Sequence, residues 1–323
     1  MTEQRFPVRK VKEQLAHAKN ITILTHLNPD ADTIGTGLGI FNLLKHDRTK
    51  RVEIVNASNL LPQHLDFLPS FEKIKHKMDF EEGLVITCDS GSANRLGFDL
   101  KGREVLNIDH HESNEYYGTV NVVIAEYASA SQVAFELFKT LYPVNEESAT
   151  CFYAALLSDT RYFTTSSVNQ EVFEVAKELV ATGVDPAKVA CHFTQRRPLS
   201  SLRILEKALS HLELSSEGRV ATLKVTQDEI IATGARMPDM EGIVDYARSL
   251  ATVEIGMFAM ELADGSIRVS LRSKHVDVSR VAAAFGGGGH KVAAGFTLKQ
   301  TGLQETIDTI LKKIEELGIL NEA

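Results

Sequence analysis

The chain is predicted to be an α/β protein: a doubly wound, mainly parallel sheet followed by a smaller α/β unit, with an active-site cleft between the two. Three observations predict it. Up to about residue 185 short β-rich runs alternate with helical ones, the pattern of parallel strands joined by crossover helices. Several of the buried runs end in His or Asp rather than in ordinary turn residues. A second, independent series of strands and helices follows a proline-containing connector, and 323 residues are enough for two cores.

Taken in order, the polar, helix-like start "MTEQRFPVRKVKEQLAHAKN" leads into the first strand, "NITILTH". A helix over about 33–46 follows, then strands "RVEIVNA", "GLVITCD" and "EVLNIDHH". The remaining helices of this unit are "SASQVAFELFKTLY", "EESATCFYAALLSD" and "NQEVFEVAKELVATG", all apolar on at least one face. These assign residues 1–185 to the first domain. Residues 186–215 read as a helical connector: two prolines, a basic pair, then Leu202, Leu205, Leu209 and Leu212 on one helix face. In residues 216–323 the strands are "GRVATLKV", "TVEIGMFAMEL", "IRVSLRS" and "AAGFTLK". Helices are expected around 227–234, 239–250, 277–284 and 303–317, with a glycine loop before the last strand.

Composition narrows the class. Apolar residues make up 43% and charged ones 24%, with no low-complexity tract, as in a globular protein. Cys88, Cys151 and Cys191 are odd in number, far apart and never spaced C-x-x-C, so neither a disulfide framework nor a thiolate zinc site is expected. The N-terminus lacks the apolar centre of a signal peptide, and no apolar run reaches the length of a membrane span, which places the protein in the cytoplasm. The formal charge of −8 argues against a broad cationic surface for long duplex DNA. Two bound divalent cations would halve that charge and make one pocket locally attractive to phosphate.

The chemistry concentrates at strand ends. "ITILTH" finishes at His26, "LVITCD" at Asp89 and "VLNIDHH" at Asp109, His110 and His111. In an open parallel sheet the carboxyl ends share one edge, where ligands bind at the topological switch. Asp30 and Asp32 follow the first strand within "NPDAD", and Asp159 is expected in a turn after the apolar helix, able to reach the same edge. Each residue alone has an ordinary reading. His26 would be a loop residue, Asp32 a cap on the next helix, Asp89 a turn-former and Asp159 another cap. Together they would place several uncompensated carboxylates beside buried strands, at a large desolvation cost. A set made of carboxylate oxygen and imidazole nitrogen suits Mn²⁺ or Mg²⁺, with Co²⁺ or Zn²⁺ as substitutes. A Rossmann-type cofactor site is disfavoured, since no G-x-G-x-x-G follows the first strand.

"THLNPDADTIGTGLG", "TCDSGSANRLG", "NIDHHESNEYYG" and "LLSDTRYF", in this order, resemble the four motifs of the DHH phosphoesterase superfamily. The resemblance implies a di-manganese hydrolase. His26 and Asp30 would hold one metal, Asp32, His110 and Asp159 the other, and Asp89 would bridge them. Asp109 would orient His110, and His111 would face the scissile phosphate. One position departs from the pattern: the fourth motif commonly reads Asp-Thr-Gly, and here Arg161 stands in place of the glycine, as a phosphate clamp or as a surface residue.

"FGGGGHKVAAGF" read alone is a flexible glycine turn. With "VSLRSK" nearby it resembles the DHH-associated domain 1, which implies substrate contacts from Arg272, Ser273 and His290 and close approach at Gly288 and Gly289. The resemblance to small stand-alone members implies hydrolysis of very short oligonucleotides, with 3'-phosphate removal from adenosine 3',5'-bisphosphate as a second activity. The alternatives are a cyclic or linear dinucleotide phosphodiesterase and a non-catalytic nucleotide-binding regulator. A homodimer is also implied.

Overall fold

The computed structural model describes residues 6–322 and divides into two compact units, one up to Arg196 and one from Arg197 on. In the first unit the elements are α1 (Val8–His17), β1 (Asn20–Thr25), α2 (Ala31–Leu44), β2 (Arg51–Asn56), β3 (Ile74–Lys75), β4 (Leu84–Cys88), β5 (Glu104–Asp109) and β6 (Val120–Val123). They continue as α3 (Ala130–Phe138), α4 (Glu146–Asp159), α5 (Gln170–Ala181) and α6 (Pro186–Thr194). Among the described residues the first sheet has the order β3-β2-β1-β4-β5-β6, every neighbouring pair parallel. The order reverses between β1 and β4, so the switch point lies where His26 and Asp89 emerge.

One face of this sheet carries Ile21, Ile23, Ile54, Ile86 and Leu106 into a large core shared with the helices. The other carries Leu24, Val55, Val85 and Val105 under Leu96 and the half-buried Met78, Phe98 and Tyr117. That second layer consists of connecting loops and short 3₁₀ turns, because the segments joining β2 to β5 are polar and broken by Pro62, Pro69 and several glycines.

All fourteen residues of α2 are buried, which explains its lack of charge beyond Asp32. Its glycines set how closely α4 can lie. A Cβ on Gly35 would stand 2.7 Å from the Cys151 carbonyl oxygen, and one on Gly39 only 2.3 Å from the Phe152 ring. The i, i+4 spacing places both gaps on one helix face, and α4 fills them. This contact holds Asp32 and Asp159, at opposite ends of the two helices' sequences, in one neighbourhood.

The second unit contains α7 (Leu199–Ser210), β7 (Glu213–Ser215), β8 (Val220–Val225), α8 (Gln227–Thr233), α9 (Ile243–Arg248), β9 (Ile255–Glu261), β10 (Ile267–Ser273), α10 (Ser279–Ala284), β11 (Gly288–His290), β12 (Ala293–Leu298) and α11 (Leu303–Leu317). Its sheet runs β11-β12-β10-β9-β8-β7 and is antiparallel except for the β8/β9 pair. One face packs α10 and α11 against Met257, Val269 and Phe296, the other packs α7 and α9 against Leu223 and Phe258. The segment expected as a connector is thus divided between the units: Val189 of α6 belongs to the first core, Ile204 and Ala208 of α7 to the second.

Candidate metal centre

β1 and β4 are tied at their ends by Thr33, whose hydroxyl donates to the Cys88 carbonyl (2.8 Å) and accepts from the His26 N–H (3.2 Å). His26 therefore leaves the sheet with its ring turned back along the edge. The ring Nδ1 lies 2.9 Å from the Leu27 carbonyl. A carbonyl only accepts, so Nδ1 carries a proton and Nε2 is the nitrogen left to hold a cation. Nε2 faces Asp89 Oδ2 at 3.5 Å and Asp30 Oδ2 at 3.7 Å.

His110 repeats the arrangement. Its Nδ1 donates to the Tyr127 carbonyl at 3.1 Å, and its Nε2 faces Asp89 Oδ1 (3.6 Å), Asp159 Oδ2 (3.6 Å) and Asp32 Oδ2 (3.8 Å). Asp89 thus turns one oxygen to each histidine. It holds a left-handed backbone, φ +56°, a strain typical of functional positions, and its buried Oδ1 has no hydrogen-bond partner.

The spacings are too long for hydrogen bonds. They match donors arranged around a common cation, since ligands at about 2.1 Å from a metal lie about 3.0–3.5 Å or a little more from one another. Among the described residues there are three groups whose donor atoms lie within 4.8 Å of one another: His26, Asp30 and Asp89; Asp32, His110 and Asp159; Asp89, His110 and His111. Electrostatics agree with the donor geometry. Burial and the neighbouring Asp89 and Asp159 charges push the Asp32 carboxyl well above its ordinary range, and burial raises Asp159 to about 6 despite His110. Burial opposes charge on His26 and His110, but the surrounding carboxylates outweigh it and raise them to about 10 and about 9. Without cations the cluster retains protons, and divalent cations would replace them. The donors fit such ions.

Several expectations change here. The ordinary reading of Asp32 as a helix cap does not hold: Asp30 caps α2, accepting from the Asp32 and Thr33 amides at 3.1 Å. Asp32 instead accepts from Ala130 (2.7 Å) and Ser131 (3.1 Å) at the start of α3, whose buried first-turn amides have no partner within the helix and favour an anion. Asp159 is the last residue of α4 and not part of a turn. Asp109 does not orient His110: its Oδ1 accepts from His111 Nδ1 at 2.7 Å, and Oδ2 from Asn114 at 2.6 Å. Burial would raise the Asp109 carboxyl, yet His111 and Asn114 hold it below its ordinary value. Thr33 and Asn114, which help to aim these side chains, lie inside the quoted motifs but bear no ligand chemistry that singles them out, and the Tyr127 carbonyl is brought to His110 by the fold.

Arg161 occupies a glycine-like conformation. It has φ +46°, followed by Tyr162 at +60° and Phe163 at +62°, three left-handed residues in a row. The backbone cost of this conformation for a residue with a Cβ is about 1 kcal/mol. Arg161→Gly is therefore expected to raise stability by about that amount, read as a higher urea midpoint at unchanged slope. A midpoint that falls would mean that the arginine's contacts outweigh the backbone strain.

In the second unit the expected glycine loop is largely a hairpin. Gly288–His290 pair with Ala293–Gly295, leaving Lys291 and Val292 as a two-residue turn. Gly289, at φ +146°, needs its missing side chain for the backbone, since a Cβ would meet the Ala293 carbonyl oxygen at 2.4 Å; the space above Gly288 is open. Arg272 and His290 both pair with Ala293, so they stand on one sheet face with a methyl between them. Ser273 is fully buried and its hydroxyl donates to the Val276 carbonyl, which makes it a brace for the turn after β10.

Comparison with known proteins agrees with both units. The DHH family N-terminal domain matches residues 20–156, and the DHHA1 domain matches residues 218–317. A Thermus thermophilus protein named bifunctional oligoribonuclease and PAP phosphatase NrnA is 30% identical over 301 residues, spanning 92% of this chain and 89% of that one. The Bacillus subtilis protein of the same name is 24% identical over 303 residues, spanning 92% and 94%. The crystal structure of an exopolyphosphatase-related protein from Bacteroides fragilis has the same fold, with a TM-score of 0.88, 24% identity and 96% of each chain covered.

Proposed function

Because the chain belongs to the DHH family and carries a DHHA1 domain, we propose that it is a metal-dependent hydrolase of very short oligonucleotides, and that it also removes the 3'-phosphate of adenosine 3',5'-bisphosphate. The observation that carries the metal-site reading is Asp89, which turns Oδ2 toward His26 and Oδ1 toward His110, as a carboxylate shared by two cations does. The substrate class is supported by the relatives' names.

In this reading His26, Asp30 and Asp89 hold one divalent cation and Asp32, His110, Asp159 and Asp89 the other, with Mn²⁺ the proposed ion. Such ions supply Lewis-acid activation of water and neutralise phosphoryl charge. The chain supplies the rest. Leu27 and Tyr127 carbonyls fix the two liganding imidazoles as Nδ1–H tautomers. Asp109 accepts from His111 Nδ1–H and favours its imidazolium form, whose Nε2–H donates to a phosphoryl or leaving oxygen. Arg272 and His290, one sheet face apart only by Ala293, are proposed to take a second phosphate or base edge, with the open backbone at Gly288 beside them. No serine or cysteine nucleophile is required.

The test is a turnover panel with Mn²⁺: RNA of two to five nucleotides, adenosine 3',5'-bisphosphate, linear and cyclic dinucleotides, with products separated by chromatography. Short RNA and the bisphosphate are expected to be consumed. Turnover of cyclic dinucleotides alone would move the assignment to a phosphodiesterase of that class, and no turnover of any would leave a binding protein. Among the described residues no helix is long and apolar enough to cross a membrane. The proposed setting is the cytoplasm, and the proposed assembly a homodimer.

A further inference from the structure

The left-handed turn after Asp159 has an effect beyond replacing a glycine. Three consecutive residues in this conformation are costly, and the turn persists because it is tied on both sides. Tyr162 N–H donates to the Leu157 carbonyl (2.8 Å), Phe163 N–H to Thr160 Oγ1 (3.1 Å) and Thr164 N–H to the Thr160 carbonyl (2.9 Å). The turn sends neighbouring side chains to opposite environments. Phe163 goes inward against Tyr153 and stacks on Phe173, ring centroids 5.4 Å apart. Tyr162 goes outward and remains 44% exposed.

Its ring is not loose. Phe193 of α6 meets it edge to face, centroids 6.4 Å apart at 78°, and Phe193 is in turn held at 87° by Phe67. Phe67 is stacked at 4.1 Å on His192. These perpendicular aromatic contacts hold one part of the ring, and the rest of the residue stays open to solvent. Tyr162 is three residues beyond Asp159, so their Cα atoms are at most about 11 Å apart.

We propose that Tyr162 is a stacking platform for one base of the oligonucleotide, placed by this turn beside the phosphate-cleaving centre. The proposal rests on the function assigned above and adds a contact that discriminates a nucleotide from a bare phosphoester. A base presents a π-face whatever its sequence, so an exposed ring gives affinity without selecting one base. It is a substrate-binding residue with no part in bond cleavage.

The test is a cycle of variants and substrates on the Mn²⁺-loaded protein. Substrates are the 5'-phosphorylated adenylyl dinucleotide and its two analogues lacking one base or the other. For the full dinucleotide, Tyr162→Ala is expected to raise KM about tenfold with kcat within about twofold, and Tyr162→Phe to retain nearly all of the wild-type KM. Removing the stacked base should raise the wild-type KM by a similar factor and should have little further effect in Tyr162→Ala. Equal effects of Tyr162→Ala on the full dinucleotide and on both abasic analogues would overturn the proposal. So would a Tyr162→Phe protein as impaired as the alanine variant. If wild-type protein cleaves none of the three, the hydrolase reading falls and the stacking role with it; normal wild-type turnover without coupling removes the stacking role alone.

Discussion

Asp89→Asn is expected to lower kcat for short RNA at least about 10³-fold and to abolish stabilisation of the protein by Mn²⁺. Among the described residues it alone turns its two oxygens to both liganding histidines, at 3.5 and 3.6 Å. Asparagine keeps the shape and tolerates the left-handed backbone at φ +56°, so the substitution isolates charge and metal affinity from folding. Asp89 is also buried with Asp32 beside it, where like charges oppose one another. The same charge favours protonated His26 and His110, so the two effects oppose and the metal-free variant should unfold near the temperature of metal-free wild type. With excess Mn²⁺ the wild-type Tm should rise, by about 2.7 kcal/mol of stabilisation at a hundredfold excess over Kd, and the variant's should not. Calorimetry with and without the ion, beside metal analysis, reads both effects. A variant that binds two ions per chain and turns over normally would refute the bridging role.

Asp109→Asn is expected to leave metal content unchanged and to lower kcat about 10²- to 10⁴-fold. The carboxylate is fully buried and accepts from His111 at 2.7 Å and Asn114 at 2.6 Å, outside the three donor groups. An amide in its place cannot accept from both, so His111 loses its fixed tautomer or Asn114 loses its partner. His111→Ala should fall by a similar factor, and the double variant little further, as for residues acting as one unit. Metal analysis paired with single-turnover rates separates this from damage to the cation site. Loss of metal in Asp109→Asn, or kcat unchanged, would contradict the assignment of His111 as an oriented donor.

Long apolar strands and helices were legible because burial on a two- or 3.6-residue period leaves a pattern. β1, β2, β4, β5, α4 and α11 follow it within a few residues. β3, β6, β7 and β11 did not show it. They are two to four residues long and mostly exposed or half-buried at or near sheet edges, so hydrogen bonds to a neighbour define them and no hydrophobic run does. β11 is an extreme case, since "GGH" has no strand propensity and exists by pairing with Ala293–Gly295.

The amino-acid sequence by itself determined the set of ligand types, their placement at the ends of apolar runs, and the two-unit α/β plan, because each is written in local composition and order. Tertiary structure decided which oxygen faces which nitrogen. Asp109 served His111 and not His110, Asp30 took the cap that an ordinary reading would give to Asp32, and Arg161 held a glycine's backbone. Such partnerships depend on side-chain direction and on amides and carbonyls from Leu27, Tyr127 and Ala130, the last of them about a hundred residues from its partner Asp32 along the chain. Backbone donors and acceptors are the same for nearly every residue type, so no letter of the sequence records where they will point.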